Sequence, residues 1–417
     1  MSDALRRQRP HGLNDLFFEQ AAIETALENR LLETFYLWGY GRIILPTFGY
    51  YESLSAGASP QLQRQMYRFF DREGNVLALR TDMTVPTARL VATRLYDQPL
   101  PLRFCYAGSV FRHEQPQAGQ RHEFTQAGVE MIGAATPQAD AEVVALAVAA
   151  LQTLGIGEFQ INLGQVAYLR AILEEIGLEN GGQYELEQAI GRKNDVEVAA
   201  TCEALGVGGE AARLIQALPH LYGGPEVLAR AHELTADPAA RAAVAYLEEV
   251  YALLAAQGVA EHLILDLGEV RSMAYYTGIA FRGYVHGLGL HVCSGGRYDD
   301  LIGRFGPSLP AVGFALGIER AMLATDARAD ISPDLLLSCE SATDGYALAA
   351  RGRALGLRVE LDVLGRQGAA LAQYGRARGA RRIATCGQDG RCALRTGDAE
   401  RALTLAELEE EMTRWSR

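Results

Sequence analysis

The stretches Leu102 to Glu114 (Leu-Arg-Phe-Cys-Tyr-Ala-Gly-Ser-Val-Phe-Arg-His-Glu) and Glu123 to Ile132 (Glu-Phe-Thr-Gln-Ala-Gly-Val-Glu-Met-Ile) decide the reading of this chain. Both contain β-branched and aromatic residues throughout, and the polar, glycine-containing segment Gln115 to Arg121 joins them, which predicts a long antiparallel hairpin. Charged groups sit inside these strands. Strand side chains alternate with a period of two, so Gln126 and Glu130, four positions apart, share a face, and Arg112 on the paired strand can join them. Ionic groups aimed into a sheet-floored cavity are costly unless a ligand or partner satisfies them. On an exposed face they are ordinary salt-bridging residues, and the spacing by itself allows both.

Upstream, Ile23, Leu27, Leu31, Thr34 and Trp38 recur at helical spacing and predict a helix from about Gln20 to Trp38, ended by Gly39 and Gly41. Arg42 to Pro46 reads as a strand whose proline belongs at an end or edge, and Val76 to Leu79 as another. Downstream, a buried helix is expected over Ala139 to Leu154 and a strand over Phe159 to Leu163. From about Ala167 to Gly258 the Ala/Leu/Glu-rich pattern predicts a helical insertion, broken by glycine pairs at 181–182, 208–209 and 223–224. Strands return at Leu263 to Leu267, Tyr275 to Tyr284 and Gly289 to Cys293, followed by a glycine-rich turn, Ser294-Gly295-Gly296. Val312 to Leu316 then runs into a helix over Gly317 to Ala324. Past Pro333 the pattern alternates: strands at 334–339, 358–363, 381–386 and 392–396, helices at 344–355, 366–378 and 404–414. The fold class expected is α+β: an antiparallel sheet flanked by helices over 1–327, with the insertion at about 167–258, and a small α/β domain over 331–417.

With 417 residues, 49% of them hydrophobic and 22% charged, the chain can bury an ordinary core. Its longest apolar stretch, Val143 to Leu154, is too short for a bilayer that needs about 20 residues. Met1 to Pro10 has arginines but no following apolar h-region, so a cytoplasmic protein is expected. The six cysteines stand singly, without C-x-x-C spacing, and read as reduced, mostly buried thiols; no metal site and no cofactor is expected. Lys193 is the sole lysine among 39 basic residues.

Several short segments carry candidate chemistry. Asp82 and Thr84 offer acceptors to a ligand ammonium, or form a turn or N-cap. Arg271 supplies a cation, and Tyr275 and Tyr276 supply aromatic walls with hydroxyls, although Tyr-Tyr is also simply a good strand dipeptide. Their order along the chain is the informative part. Taken together, the segments resemble the class II aminoacyl-tRNA synthetase core, specifically histidyl-tRNA synthetase and its paralogue, the regulatory subunit of ATP phosphoribosyltransferase, over roughly residues 8 to 325. Pro46 after the long helix resembles the dimer-forming first motif, Phe111-Arg112-His113-Glu114 the second and Gly313 to Arg320 the third. Arg271 with Tyr275-Tyr276-Thr277-Gly278, and Gly295-Gly296-Arg297-Tyr298-Asp299, resemble segments peculiar to the histidine-specific branch. The resemblance implies that Asp82, Thr84 and Gln126 hold the α-amino group of histidine, that Arg271 lies near its carboxylate, and that Glu130 and Tyr276 address its imidazole. Arg112, from the second motif, and Tyr275 belong to the same expected histidine-binding set.

Departures from the synthetase pattern point toward the regulatory one of its two branches. The usual Gly-Arg-x-Arg of the second-motif loop reads Gly119-Gln120-Arg121-His122, so Gln120 and His122 replace two phosphate-binding guanidiniums, leaving Arg320 in a vestigial ATP site. Each lost charge-assisted bond is worth about 1.5 to 3 kcal/mol. Thr81-Asp82-Met83-Thr84 replaces Pro-Glu-Gly-Thr, and Ala274 replaces an aspartate. Residues 331 to 417 carry 13 arginines against 12 acidic residues on a chain of net charge −12, which gives little support to a tRNA-gripping surface. The resemblance therefore implies a non-catalytic, histidine-responsive subunit, homodimeric within a hetero-oligomer, that works with a short ATP phosphoribosyltransferase catalytic subunit; no membrane and no tRNA is expected as a partner. A functional synthetase and a stand-alone histidine sensor remain open alternatives at this point.

Overall fold

The computed structural model describes residues 6–113, 121–177, 180–269 and 276–415. Helix α1 (Phe18–Leu37) buries Leu27, Leu31, Leu32 and Phe35, the face set by their three- and four-residue spacing. Gly39, at φ +83°, ends it in a left-handed turn in which its N–H donates to Tyr36 O at 2.9 Å. Strand β1 is only Gly41–Arg42, pairing in parallel with the hairpin. The expected strand to Pro46 does not continue, because the Arg80 guanidinium takes the carbonyls of Leu45 (2.7 Å) and Pro46 (3.3 Å) in place of a ladder. A small sheet of order β2-β4-β3 follows, from β2 (Phe48–Tyr50), β3 (Arg68–Phe70) and β4 (Val76–Leu79), with helices α2 (Tyr51–Ala56) and α3 (Pro60–Arg64) between β2 and β3 and α4 (Thr84–Leu90) after β4.

The hairpin forms as β5 (Leu102–Phe111) and β6 (Glu123–Ile132), paired antiparallel from Leu102↔Ile132 to Phe111↔Glu123. Most of its connecting segment lies outside the described residues. Thr136 caps α5 (Pro137–Thr153) through Ala139 N, and the small side chains of this helix let it sit close against the sheet, with eleven of its residues buried. Strand β7 (Phe159–Gln165) then leads into the insertion: α6 (Val166–Ile176), α7 (Asn180–Gly191), α8 (Asp195–Ala204), α9 (Gly209–Ala217), β8 (Tyr222–Gly223), α10 (Glu226–Leu234) and α11 (Pro238–Ala256). Two expectations are corrected here. The break expected at Gly181 and Gly182 falls a few residues earlier, between Ile176 and Asn180, so the two glycines stand in the first turn of α7, where Gly182 faces Leu205, whose side chain a Cβ would approach to 3.0 Å. The insertion is also not wholly helical, since β8 joins the main sheet.

That sheet is completed by β9 (Leu263–Asp266), β10 (Ile279–Val285), β11 (His291–Arg297) and β12 (Ala311–Gly317), which runs into α12 (Ile318–Ala324). Its nine strands stand in the order β1-β5-β6-β12-β11-β10-β7-β9-β8, antiparallel except for the β1/β5 and β7/β9 pairs. Ser294-Gly295-Gly296 is strand, not turn: all three pair with β10 on one side and β12 on the other. The glycines serve close approach, since a Cβ at Gly295 would lie 2.5 Å from Phe314 Cβ. The β10 strand starts at Ile279, later than the tyrosines at which it was expected. Among the described residues no helix is long and apolar enough to cross a membrane.

Chain proximity divides the molecule after Arg328, and the second unit has its own buried core. Its sheet, β14-β13-β15-β16-β17, is made of β13 (Leu335–Cys339), β14 (Val359–Leu361), β15 (Ile383–Cys386), β16 (Arg391–Thr396) and β17 (Ala399–Thr404), with helices α13 (Ala342–Ala354), α14 (Gly368–Arg378) and α15 (Leu405–Trp415). Strand β17 was not expected: Ala-Glu-Arg-Ala-Leu-Thr has no β pattern, and what makes it a strand is the two-residue turn at Gly397 (φ +59°) and Asp398. The reading of all six cysteines as thiols is corrected too. Cys386 and Cys392 stand directly opposite each other on β15 and β16, Cα atoms 4.1 Å apart, and form a disulfide.

Candidate functional site

The central strands enclose a cavity of about 330 Å³ lined by Asp82, Thr84, Arg112, Gln126, Glu130 and Tyr276, together with Ser294, Tyr298, Gly313 and residues of the α3 segment. Six of the eight expected histidine-binding residues therefore meet in one place; Arg271 and Tyr275 lie outside the described residues. The floor is open because glycines occupy it. A side chain at Gly313, the register partner of Glu130, would overlap the Glu130 carboxylate and lie 2.5 Å from Val129 O. A Cβ at Gly296 would lie 2.9 Å from the Tyr276 ring.

At one end, Asp82 Oδ1 accepts from Val85 N at 2.9 Å, so this residue both caps α4 and borders the cavity. Burial pushes its carboxyl above the ordinary range, opposed by the Val85 N–H and by the positive charge of Arg112. Gln126 Oε1 accepts from Met83 N at 3.0 Å, which fixes the amide and leaves a second lone pair on that oxygen. Arg112 is held from two sides: its Nε donates to Thr81 O at 2.9 Å, and its guanidinium carbon lies 5.2 Å from the Phe124 ring centre.

At the other end Glu130 is 1% exposed. Tyr106 donates to its Oε1 at 3.0 Å and Tyr298 donates to its Oε2. Burial raises its pKa to about 7, against the lowering effect of bonds from Tyr298, Thr84 and Tyr106. Burial also raises the Tyr276 and Tyr106 phenols, which remain neutral donors. The Tyr298 backbone is anchored next door, where Arg297 spans the buried Asp140 (2.5 Å) and Asp299 (3.0 Å). Acceptors at one end, a cation near them and a buried carboxylate with phenols at the other suit a zwitterion with a weakly basic ring.

Tyr106 and Tyr298 were not singled out from sequence. Tyr298 lay inside a quoted motif with no role attached. Tyr106 had a signal that only the register makes readable: it stands opposite Gly128, whose missing side chain leaves room for the phenol to reach diagonally to Glu130.

The residues of the expected vestigial ATP site are placed elsewhere. His122 is buried at the hairpin, its Nδ1 2.7 Å from the Tyr67 hydroxyl, its ring 5.1 Å from that of His113, and its N–H donating to Gly12 O. Arg320 donates to His291 O at 3.0 Å. Neither lines the cavity, and Gln120 lies outside the described residues.

A family model described as histidyl-tRNA synthetase matches residues 12–321. The ATP phosphoribosyltransferase regulatory subunit of Moorella thermoacetica is 42% identical over 351 residues, 84% of this chain and 88% of its own. That of Symbiobacterium thermophilum is 41% identical over 386 residues, 91% and 96% of the two chains. Among solved structures, an ATP phosphoribosyltransferase regulatory subunit/histidyl-tRNA synthetase from Bacillus halodurans superposes with a TM-score of 0.83 at 32% identity, covering 91% of this chain and 98% of that one. A Nostoc histidyl-tRNA synthetase shares the fold at 21% identity, with a TM-score of 0.82 over 98% and 99% of the chains. With a class II synthetase fold and these relatives spanning nearly its whole length, the chain belongs to the family of ATP phosphoribosyltransferase regulatory subunits.

Proposed function

We propose that this chain binds L-histidine in the cavity between Asp82 and Glu130 and reports it to a short-form ATP phosphoribosyltransferase catalytic subunit, at the first step of histidine biosynthesis in the cytoplasm. The observation that carries the reading is the pairing of functions along β6: Gln126 with Asp82 and Thr84 for the ammonium, and Glu130 with its phenols for the imidazole. Arg112, with Arg271 of the sequence motif, supplies the charge that a carboxylate requires. A catalytic role is disfavoured by the substitutions Gln120 and His122, and by His122 and Arg320 being engaged with Tyr67 and His291 rather than turned to the cavity.

Feedback requires histidine to favour one state of the assembly, and a coupling of about 1 to 3 kcal/mol gives five- to 150-fold control. The subunit acts as a homodimer through the α1 helix and the chain leading to Pro46, within a hetero-oligomer containing the catalytic subunit. A monomer by light scattering would refute the dimer.

The deciding experiment is calorimetric titration of the purified chain with L-histidine, followed by an assay of PRPP- and ATP-dependent product with the catalytic subunit of the same organism. Activation of that subunit, suppressed by histidine, is the expected result. Histidine-driven ATP–pyrophosphate exchange, or binding of histidine without any effect on the partner, would overturn the reading.

A further inference from the structure

Three of the six cysteines stand in one row across the second unit. Cys339 ends β13, Cys386 ends β15 and Cys392 lies at the start of β16. Cys386 is the register partner of both others: of Cys339 in the parallel β13/β15 pair and of Cys392 in the antiparallel β15/β16 pair. Register partners put their side chains on one face of a sheet, and all three thiol-bearing residues border the same apolar cluster, Cys386 and Cys392 within it and Cys339 packed against it. The disulfide of Cys386 with Cys392 is therefore one of two pairings open to the middle cysteine.

The row borders a cavity of about 600 Å³ that all three cysteines line. Its place follows from topology: the strand order β14-β13-β15 reverses direction at β13, and in open α/β sheets ligands bind beyond the carboxyl ends of the strands at such a switch point. Beside the cysteines the cavity presents Glu340, Gln367 and Arg391, charges of both signs and an amide, which suits a small thiol carrying an ammonium and a carboxylate. The disulfide is not needed to hold the strands. It spans a sequence separation of only 6, the ladder runs on from Cys386↔Cys392 to Ile383↔Arg395, and the turn is fixed by Gly387 N donating to Arg391 O at 2.9 Å. A cross-link over so short a loop removes little freedom from the unfolded chain. In the cytoplasm, where the function proposed above places the chain, disulfides are transient or redox-responsive rather than permanent staples. Burial, with the negative charge of Asp344, pushes the Cys339 thiol up to about 11, so it stays protonated and leaves the closed pair alone.

We propose that this row is a thiol–disulfide exchange site for a low-molecular-weight thiol of amino-acid or peptide type, with Cys386 as the shared middle sulfur. The thiolate of the entering molecule attacks Cys392 Sγ, which ends the row beside the cavity-lining Ala393 and Ala402. A mixed disulfide forms on Cys392, the bond to Cys386 breaks, and Cys386 leaves as a thiolate that takes a proton from water. A second small thiolate attacks the small molecule's sulfur in the mixed disulfide and frees Cys392, which is protonated in turn. The protein pair is thereby reduced to thiols while two small thiols are oxidised to one disulfide; the reverse sequence, with the small disulfide as oxidant, closes the pair again. The site lies wholly in the unit from Ala329 onward and is independent of the histidine cavity.

The test equilibrates the full chain and two variants, Cys386→Ser and Cys392→Ser, with reduced and oxidised glutathione in varying ratio, quenches with acid, and locates free thiols, disulfides and adducts by peptide mass spectrometry. In the folded unmodified chain the Cys386–Cys392 bond is expected to open and close reversibly with the ratio. Cys386→Ser removes the leaving group's partner, so a glutathione adduct should accumulate on Cys392. Cys392→Ser should move the disulfide to Cys339 and Cys386, the other register pair. A bond that resists excess reduced glutathione until urea unfolds the chain is a structural staple, and that result overturns the proposal. So does a pair that stays reduced in oxidised glutathione, or adducts spread equally over the buried Cys105, Cys202 and Cys293. Absence of the Cys339–Cys386 bond in folded Cys392→Ser overturns the role of Cys386 as the shared sulfur. If either variant does not fold, the titration of the unmodified chain still decides.

Discussion

Glu130 concentrates the chemistry of the cavity in one side chain. Its carboxyl is raised from the ordinary value of 4.5 to about 7, so the folded state keeps a proton that the unfolded chain has released. Folding stability contributed by this group is therefore complete below about pH 4.5 and is lost as pH rises through about 7, a difference of about 3 kcal/mol. Relative to Glu130→Gln, the native protein should become less stable between pH 4.5 and 7.5 by that amount, as read by urea denaturation at a series of pH values. A constant difference across that range would show that the carboxylate is not desolvated. Asp82 makes a second prediction at this scale. Asp82→Asn keeps the cap to Val85 N but removes the negative charge that the proposed histidine site offers to the ligand ammonium, and a charge-assisted bond is worth about 1.5 to 3 kcal/mol. Histidine affinity should fall about ten- to hundredfold by calorimetry. Of these residues, Asp82, Gln126 and Glu130 were legible because a polar or charged side chain inside a strand or beside a turn is conspicuous in sequence. Tyr106 was not: a tyrosine in a strand is ordinary until pairing sets it opposite Gly128.

At the scale of elements, the cavity exists because certain strand positions carry no side chain. Gly313 lies in the middle of β12 between β6 and β11, opposite both Glu130 and Gly296. Gly313→Ala must displace the Glu130 carboxylate or spread the strands, and overpacking of this kind costs about 1 to 3 kcal/mol. The variant should fold with a lowered midpoint and lose histidine binding by tenfold or more; binding at native affinity would mean that the sheet relaxes around the methyl group. The apolar residues made α1, α5 and the hairpin strands readable, α1 through its three- and four-residue spacing and the others through long runs of apolar, β-branched and aromatic side chains. The glycine-rich stretch at 294–296 was misread because glycine signals both a turn and a close approach, and only the neighbouring Phe281 and Phe314 distinguish the two. Strand β17 escaped for the opposite reason: its sequence has little β character, and pairing with β16 across a tight turn, with Arg395 and Glu400 3.0 Å apart, imposes the conformation.

On the scale of the whole molecule, the described residues that line the cavity all precede Ala329, and the unit from Ala329 onward closes its own core around Leu335, Leu337, Leu394, Leu408 and Met412. Among the described residues each core is closed by residues of its own unit, and the ion pair of Arg297 with Asp140, next to the cavity-lining Tyr298, is also complete before Ala329. A domain with its own core and its own polar partners folds by itself. A chain ending at Arg328 should therefore bind L-histidine with an affinity within about twofold of the full chain, by the same calorimetric titration. It should also unfold in a single transition, whereas the full chain is free to show two. Loss of binding in the shortened chain would mean that the C-terminal unit supports the cavity. Retained binding with lost activation of the catalytic subunit would instead assign that unit to the partner, consistent with its 13 arginines and 13 acidic residues, which cancel and so offer little attraction to a polyanion.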